Sequence, residues 1–282
     1  MNNWQPVKAG LVQLNVSDDP AANLPVTRAL IREAAAAGAG FVLTPEATNL
    51  LGADRTTQEQ VLRTEAEDPT LAALRADAAE LGIWLLIGSL SLKSEGPDEA
   101  RYLNRSFLLS PKGQIVARYD KLHMFDVVIS DSESYRESAL FRPGQRAVLA
   151  QGPVPLGMTI CYDLRFPALY RALAQAGAEV LSVPAAFNDT TGAAHWDVLL
   201  RARAIENGSY VLAPAQCGTH LGRAERPRRS HGHSLAIDPW GQVLADAGKD
   251  PGVALVTLDP RAVLEARSRI PSLTHDRDFL GP

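Results

Sequence analysis

Leu156-Gly157-Met158-Thr159-Ile160-Cys161-Tyr162-Asp163-Leu164-Arg165-Phe166-Pro167 holds the decisive change of pattern in this 282-residue chain. An apolar, β-type run breaks there into a polar turn, ahead of a helix expected over 167–176. A thiol at such a strand-to-helix turn is held rigidly, projects into a cleft and feels the positive end of the following helix. Those are the conditions a cysteine nucleophile needs. Cys217 is the other cysteine of the chain, so no disulfide framework is available.

Outward from Cys161, short β-branched runs alternate with Ala-rich helical stretches. Strands are expected at 7–14, 41–43, 83–90, 180–183 and 210–215, with helices at 23–37, 70–81 and 194–206 and a last helix from about Pro260. Residues 103–109 and 115–119 flank the turn signal Pro111-Lys112-Gly113 and predict a hairpin, and two more strands surround Pro239-Trp240-Gly241. Residues 127–145 are polar and poorly periodic and are read as a long functional loop. The stretch 218–233 reads as a basic loop carrying Arg223, Arg226, Arg228 and Arg229. No long linker or repeat interrupts the chain, so one domain over 1–282 is expected. Its class is α/β, with sheet covered by helix and, because of the hairpins, a mixed sheet.

The bulk numbers exclude several function classes. A formal net charge of −4 gives no reason to expect nucleic-acid binding, and no apolar run approaches the length that crosses a membrane. The segment Met1-Asn2-Asn3-Trp4-Gln5-Pro6 lacks the features of a secretory leader, and with two cysteines this favours a reducing cytoplasm.

Three reactive residues share one context, each directly following an apolar strand: Glu46, Lys121 and Cys161. Ligand clefts form at strand ends in α/β sheets, so these distant positions can converge. A thiolate is a strong nucleophile, a carboxylate can take its proton and later activate water, and an ammonium can stabilise an oxyanion. The set suits acyl transfer from an amide or nitrile carbon. Surface charges of these types are usually just solvated, and spacing alone does not decide between the two readings.

The motifs add a resemblance. Thr44-Pro45-Glu46, Tyr119-Asp120-Lys121-Leu122-His123-Met124-Phe125-Asp126 and the block around Cys161 resemble, in order, the three signature blocks of the nitrilase superfamily of carbon–nitrogen hydrolases. Tyr135-Arg136-Glu137-Ser138 resembles the block holding that family's second active-site glutamate. The similarity continues through Thr191–Trp196, Leu200–Asn207, His231–Ser234 and Asp238–Gly241. It implies a four-layer α-β-β-α sandwich of the nitrilase type, a homodimer or larger homo-oligomer, and no cofactor or metal. It also implies roles: Cys161 as the nucleophile that forms a thioester, Glu46 as general base and acid, Lys121 with the backbone N–H of Tyr162 as oxyanion stabilisers, and Glu137 as the group orienting lysine and substrate.

Within the superfamily the chain looks most like the Nit branch, in which Arg165 and Thr191 match positions that bind a substrate's α-keto carboxylate; the planar fork of arginine suits that task. Leu200–Asn207 and Ala213–Gly218 resemble the deaminated glutathione amidases. Phe187–Gly192 has the character of ω-amidases acting on α-ketoglutaramate or α-ketosuccinamate. The resemblance thus implies an amidase of the terminal amide of deaminated glutathione, releasing ammonia, with ω-amidase as the alternative and a catalytically silent scaffold as the third reading. Cys217, His220, His231 and His233 invite a zinc reading, but their spacing fits no closed structural site.

Overall fold

Phe41 and Leu43 point to one core while Val42, between them, points to another. The same alternation recurs at Leu85, Leu86 and Ile87, and at Phe107, Leu108 and Leu109. Strands that are apolar on both faces must be covered on both, and the architecture follows from that requirement.

A computed structural model describes residues 4–96, 100–131, 133–223 and 227–281. The first half runs β1 (Val7–Gln13), α1 (Pro20–Ala36), β2 (Phe41–Leu43), α2 (Arg55–Val61), α3 (Pro69–Leu81), β3 (Trp84–Leu92), β4 (Leu103–Leu109) and β5 (Ile115–Asp120). Next come β6 (Asp126–Ser130), β7 (Glu133–Arg136), β8 (Val148–Gln151), β9 (Pro155–Met158), α4 (Pro167–Gln175), β10 (Val180–Ser182), α5 (Asp189–Asn207) and β11 (Tyr210–Ala213). The chain closes with β12 (Cys217–His220), β13 (Arg228–His231), β14 (Leu235–Ile237), β15 (Val243–Asp246), β16 (Gly252–Leu258) and α6 (Pro260–Arg269).

Two six-stranded mixed sheets form, in the orders β16-β1-β2-β3-β4-β5 and β15-β14-β11-β10-β9-β8. Strands β1, β2 and β3 are mutually parallel in the first, and β9, β10 and β11 in the second. One continuous apolar cluster joins Leu11, Phe41, Leu43, Leu86 and Leu108 of the first sheet to Leu156, Met158, Leu181 and Leu212 of the second, so the sheets pack face to face. The outer face of the first sheet is covered by Ile31 and Ala34 of α1 and Leu71, Leu74 and Ala78 of α3. Leu169, Tyr170 and Leu173 of α4, with Trp196, Leu200 and Ala204 of α5, cover the second. The result is a four-layer α-β-β-α sandwich. No helix of the described residues is long and apolar enough to cross a membrane.

Three readings need correction. The stretch 127–145 is not a plain loop, because β6 and β7 pair there as an antiparallel hairpin, followed by a 3-10 turn over Glu137–Ala139. The basic stretch 218–233 likewise contains a hairpin, β12 with β13, while Arg226 lies outside the described residues. Helix α5 starts at Asp189, before the expected 194, because the Asn188 side chain accepts hydrogen bonds from the backbone N–H groups of Thr190 and Thr191 and caps it. Gly192 is required inside that first turn, since a Cβ there would lie 2.4 Å from the His231 side chain.

Candidate active site

Three strand ends meet at one cleft. Glu46 follows β2, Lys121 follows β5 and Cys161 follows β9, and all three line a cavity of about 700 Å³ together with Glu137, Tyr162 and Thr191. The two hairpins that interrupt the sheet pattern supply much of the remaining wall, through Glu133, Tyr135 and Arg136 of β7 and Arg228 and Arg229 of β13.

The Lys121 ammonium is the hub. Its Nζ donates to Glu46 Oε1 at 2.9 Å and to both Glu137 oxygens at 2.9 and 3.0 Å. Asn104, at the start of β4, donates from Nδ2 to Glu46 Oε1 at 2.9 Å and to Glu137 Oε1 at 3.3 Å. Backbone N–H groups complete the arrangement: that of Ala186 reaches Glu46 Oε2 at 2.8 Å and that of Phe125 reaches Glu137 Oε2 at 2.6 Å. Both carboxylates are therefore fixed by donors from several separate segments, as pre-organisation requires.

Electrostatics follow from burial and neighbours. Burial disfavours the charged form of Glu46, but the adjacent Lys121 and the more distant Arg228 outweigh it and hold the carboxyl well below its usual range. Burial also opposes the Lys121 charge, yet Glu137 and Glu46 raise its pKa above the ordinary lysine value. The Cys161 thiol is pushed well up by burial and by the neighbouring Glu46 carboxylate. The resting arrangement is thus a neutral thiol beside an ionised carboxylate, which is the state a general base needs before it takes a proton.

The backbone explains why the thiol sits there. Cys161 has φ +48°, a left-handed conformation that strains an ordinary residue, as does Ala47, next to Glu46, at +55°. A 3-10 turn over Cys161–Arg165 follows the nucleophile, and the α-helix begins at Pro167, where the sequence placed it. The fully buried Asp163 pins this turn. Its carboxylate accepts from the N–H of Ile160 (2.8 Å), the Tyr119 hydroxyl (2.6 Å) and the N–H of His123 (3.0 Å), and it meets His123 Nδ1 at 2.7 Å. The turn bearing Cys161 is thereby tied to the segment bearing Lys121. Gly88 brings β3 against the residues preceding Glu46: a Cβ there would stand 2.1 Å from the Thr44 carbonyl oxygen.

Of the expected substrate contacts, Thr191 and Tyr162 lie in the cleft wall. Arg165 does not: its guanidinium lies 5.4 Å from the Phe187 ring centroid and 5.8 Å from that of Tyr162, and it contacts His195. His220, one of the residues that invited a zinc reading, is held between the Val16 carbonyl and the Ser230 hydroxyl. Among the described residues no three His, Cys, Asp or Glu side chains cluster as metal ligands.

Comparison with known proteins is decisive at this point, since the model of the carbon-nitrogen hydrolase family matches residues 8–268. The chain belongs to the carbon–nitrogen hydrolase family. A Synechocystis protein called deaminated glutathione amidase is 41% identical to this carbon–nitrogen hydrolase over 274 residues, 96% of this chain and 98% of that protein. The human protein of the same name is 38% identical, over 95% of this chain and 81% of its own. The solved structure of the C. elegans NitFhit protein superposes with a TM-score of 0.88 at 32% identity, spanning 97% of this chain and 66% of that longer one. A mutant amidase from Nesterenkonia sp. AN1, bearing the acetamide moiety of fluoroacetamide on its active-site cysteine, matches with a TM-score of 0.76 at 29% identity over 94% of both chains.

Sequence reasoning about this carbon–nitrogen hydrolase overlooked Asn104 and Asp163 as site residues. Asn104 stands near the start of β4 and Asp163 two residues after the nucleophile, and both are buried polar groups that need partners.

Proposed function

We propose that this chain hydrolyses the amide of deaminated glutathione through a thioester on Cys161. The observation that carries the chemistry is the convergence of Cys161, Glu46, Lys121 and Glu137 in one cleft, with Lys121 Nζ 2.9 Å from each carboxylate. The choice of substrate is supported by relatives of that name at 41 and 38% identity over nearly the whole chain.

Cys161 Sγ attacks the carbonyl carbon while its proton passes to the Glu46 carboxylate. The developing oxyanion is met by the Lys121 ammonium and the Tyr162 N–H. The C–N bond then breaks, Glu46 returns the proton to the departing nitrogen, and a thioester remains. Water attacks the thioester, giving one proton to Glu46; the acid leaves and Glu46 reprotonates the thiol. Glu137 holds Lys121 in place throughout. The bond cleaved joins the α-keto acid to the cysteine nitrogen, so the amine that leaves is cysteinylglycine. Ammonia leaves only from a primary amide such as α-ketoglutaramate, and the expectation of ammonia from deaminated glutathione is corrected accordingly. Thr191, in the cleft wall, and Arg165, beside it, are assigned to the α-keto carboxylate.

Two further assignments rest on the same reading. Both cysteines are free, which suits a reducing compartment such as the cytoplasm. A homo-oligomer is proposed because Val198 and Ile205 stand exposed two turns apart on one face of α5, beside exposed Trp240 and Ile270.

The test compares kcat/KM on deaminated glutathione, α-ketoglutaramate and simple aliphatic amides, with Cys161→Ala as control. Deaminated glutathione should be preferred, and Cys161→Ala should lose at least about 10³-fold. A Cys161→Ala protein as fast as wild type would end the thioester mechanism; a strong preference for α-ketoglutaramate would replace the substrate.

A further inference from the structure

Deaminated glutathione is a dianion, with one carboxylate beside its keto group and another on its terminal glycine. Three arginines at or beside the cleft, Arg136, Arg165 and Arg228, have no carboxylate within ion-pair distance among the described residues, whereas Arg229, beside Arg228, pairs with Asp189. Arg165 and Arg228 sit on different elements, the first in the turn after the nucleophile and the second on β13.

Arg228 lines the cleft, as Arg136 does, but Arg136 is exposed. Arg228 is half-buried, its Nη2 donates to the Ala186 carbonyl at 2.8 Å, and its guanidinium lies 5.8 Å from the Tyr135 ring centroid. That posture fixes the head group through one edge and one face. A guanidinium carries five N–H donors, so most of its capacity remains for a planar anion. Glu133, the acid on the same hairpin as Tyr135, is engaged at Oε1 by the Tyr135 hydroxyl (2.8 Å) and by Asn188 Nδ2 (2.7 Å) rather than by Arg228. A half-buried cation in a ligand cleft that touches no carboxylate, and feels Glu46 only from a distance, gains by pairing with an anion that arrives. The cavity of about 700 Å³ also exceeds what a small primary amide fills, and leaves room for a peptide tail beyond the scissile bond.

We propose that Arg228, braced by Tyr135, is the specificity residue that grips the glycine carboxylate of the leaving group, leaving Arg165 and Thr191 to the keto-acid end. The assignment rests on the proposed substrate and goes beyond it, because it separates an amidase of peptide-like tails from one of small ω-amides by a single side chain.

The experiment measures kcat and KM of wild type, Arg228→Gln and Arg228→Lys on three substrates: deaminated glutathione, its glycine carboxamide, and α-ketoglutaramate. The kcat/KM loss in Arg228→Gln should be at least tenfold greater with the free carboxylate than with the carboxamide, and should appear mainly in KM. Arg228→Lys should recover part of it. Equal losses on deaminated glutathione and its carboxamide would overturn the proposal and leave Arg228 acting on the reaction centre or the fold. A loss as large on α-ketoglutaramate would move its contact to the keto-acid carboxylate, which also overturns it. If Arg228→Gln does not fold, the same comparison is read on Arg228→Lys, where equal losses count against the proposal in the same way. Wild-type protein that leaves deaminated glutathione intact while cleaving other amides removes the substrate reading first, and this assignment with it.

Discussion

At the scale of single residues, the site is a balance between two acids and one ammonium that a neutral amide keeps in order. Asn104 donates to both carboxylates from one nitrogen and carries no charge, so it separates Glu46 from Glu137 without adding to their repulsion. The Glu46 pKa, ordinarily 4.5, is lowered to about 2 because Lys121 and Arg228 overcome the effect of burial. A depressed carboxyl stays ionised at and above pH 4.5, and loses its charge, with the stability that charge contributes, only as pH falls toward the folded value. The acid limb of kcat/KM in wild type should therefore not reflect Glu46 anywhere above about pH 4. Asn104→Asp places a third carboxylate against Glu46 and should raise its pKa by about one unit or more, moving the acid limb upward. A pH–rate profile of the variant identical to wild type would show that Asn104 does not govern the ionisation of the base.

At the scale of elements, the active residues are mounted on strand ends and the turns are locked by buried polar groups. Asp163 receives hydrogen bonds from two backbone N–H groups and the Tyr119 hydroxyl and meets the His123 ring, within one fully buried carboxylate. Removing it in Asp163→Ala strands those partners and should cost about 3–5 kcal/mol of stability. Urea unfolding checks this, and a loss under about 1 kcal/mol would mean that water substitutes for the carboxylate. Most strands and helices of the two main layers were legible from their apolar runs and periods, whereas the edge strands β8 and β16 and the short α2 were not. Hairpins β6–β7 and β12–β13 were not either, because neither strand of the first has a buried residue and the second joins Cys217–His220 to the polar Arg228–His231. A strand that lines a cleft rather than a core carries no hydrophobic alternation, so its sequence reads as loop. For the same reason the cleft's specificity wall was the least legible part of the molecule, and the convergence of Glu46, Lys121 and Cys161 was suggested by strand-end context while their motifs supplied the roles.

At the scale of the whole molecule, face-to-face sheets form a rigid block whose outer helical layers differ in finish. On α5, Trp196, Leu200 and Ala204 face the core while Val198 and Ile205 face outward, and Arg269 lies 4.3 Å from the centroid of the exposed Trp240 ring. If this face joins two copies, Val198→Glu with Ile205→Glu should convert an oligomer to monomers in sedimentation experiments without unfolding the sandwich. Unchanged sedimentation would place the contact elsewhere.

The buried thiol of Cys161 has a bearing on endurance. Peroxides attack thiolates, and a sulfur that keeps its proton until a carbonyl is delivered to it offers them little. The same enclosure makes reagents shaped like amides far better inactivators than general oxidants. Inactivation by hydrogen peroxide at neutral pH should accordingly be slower than the oxidation of free cysteine under the same conditions.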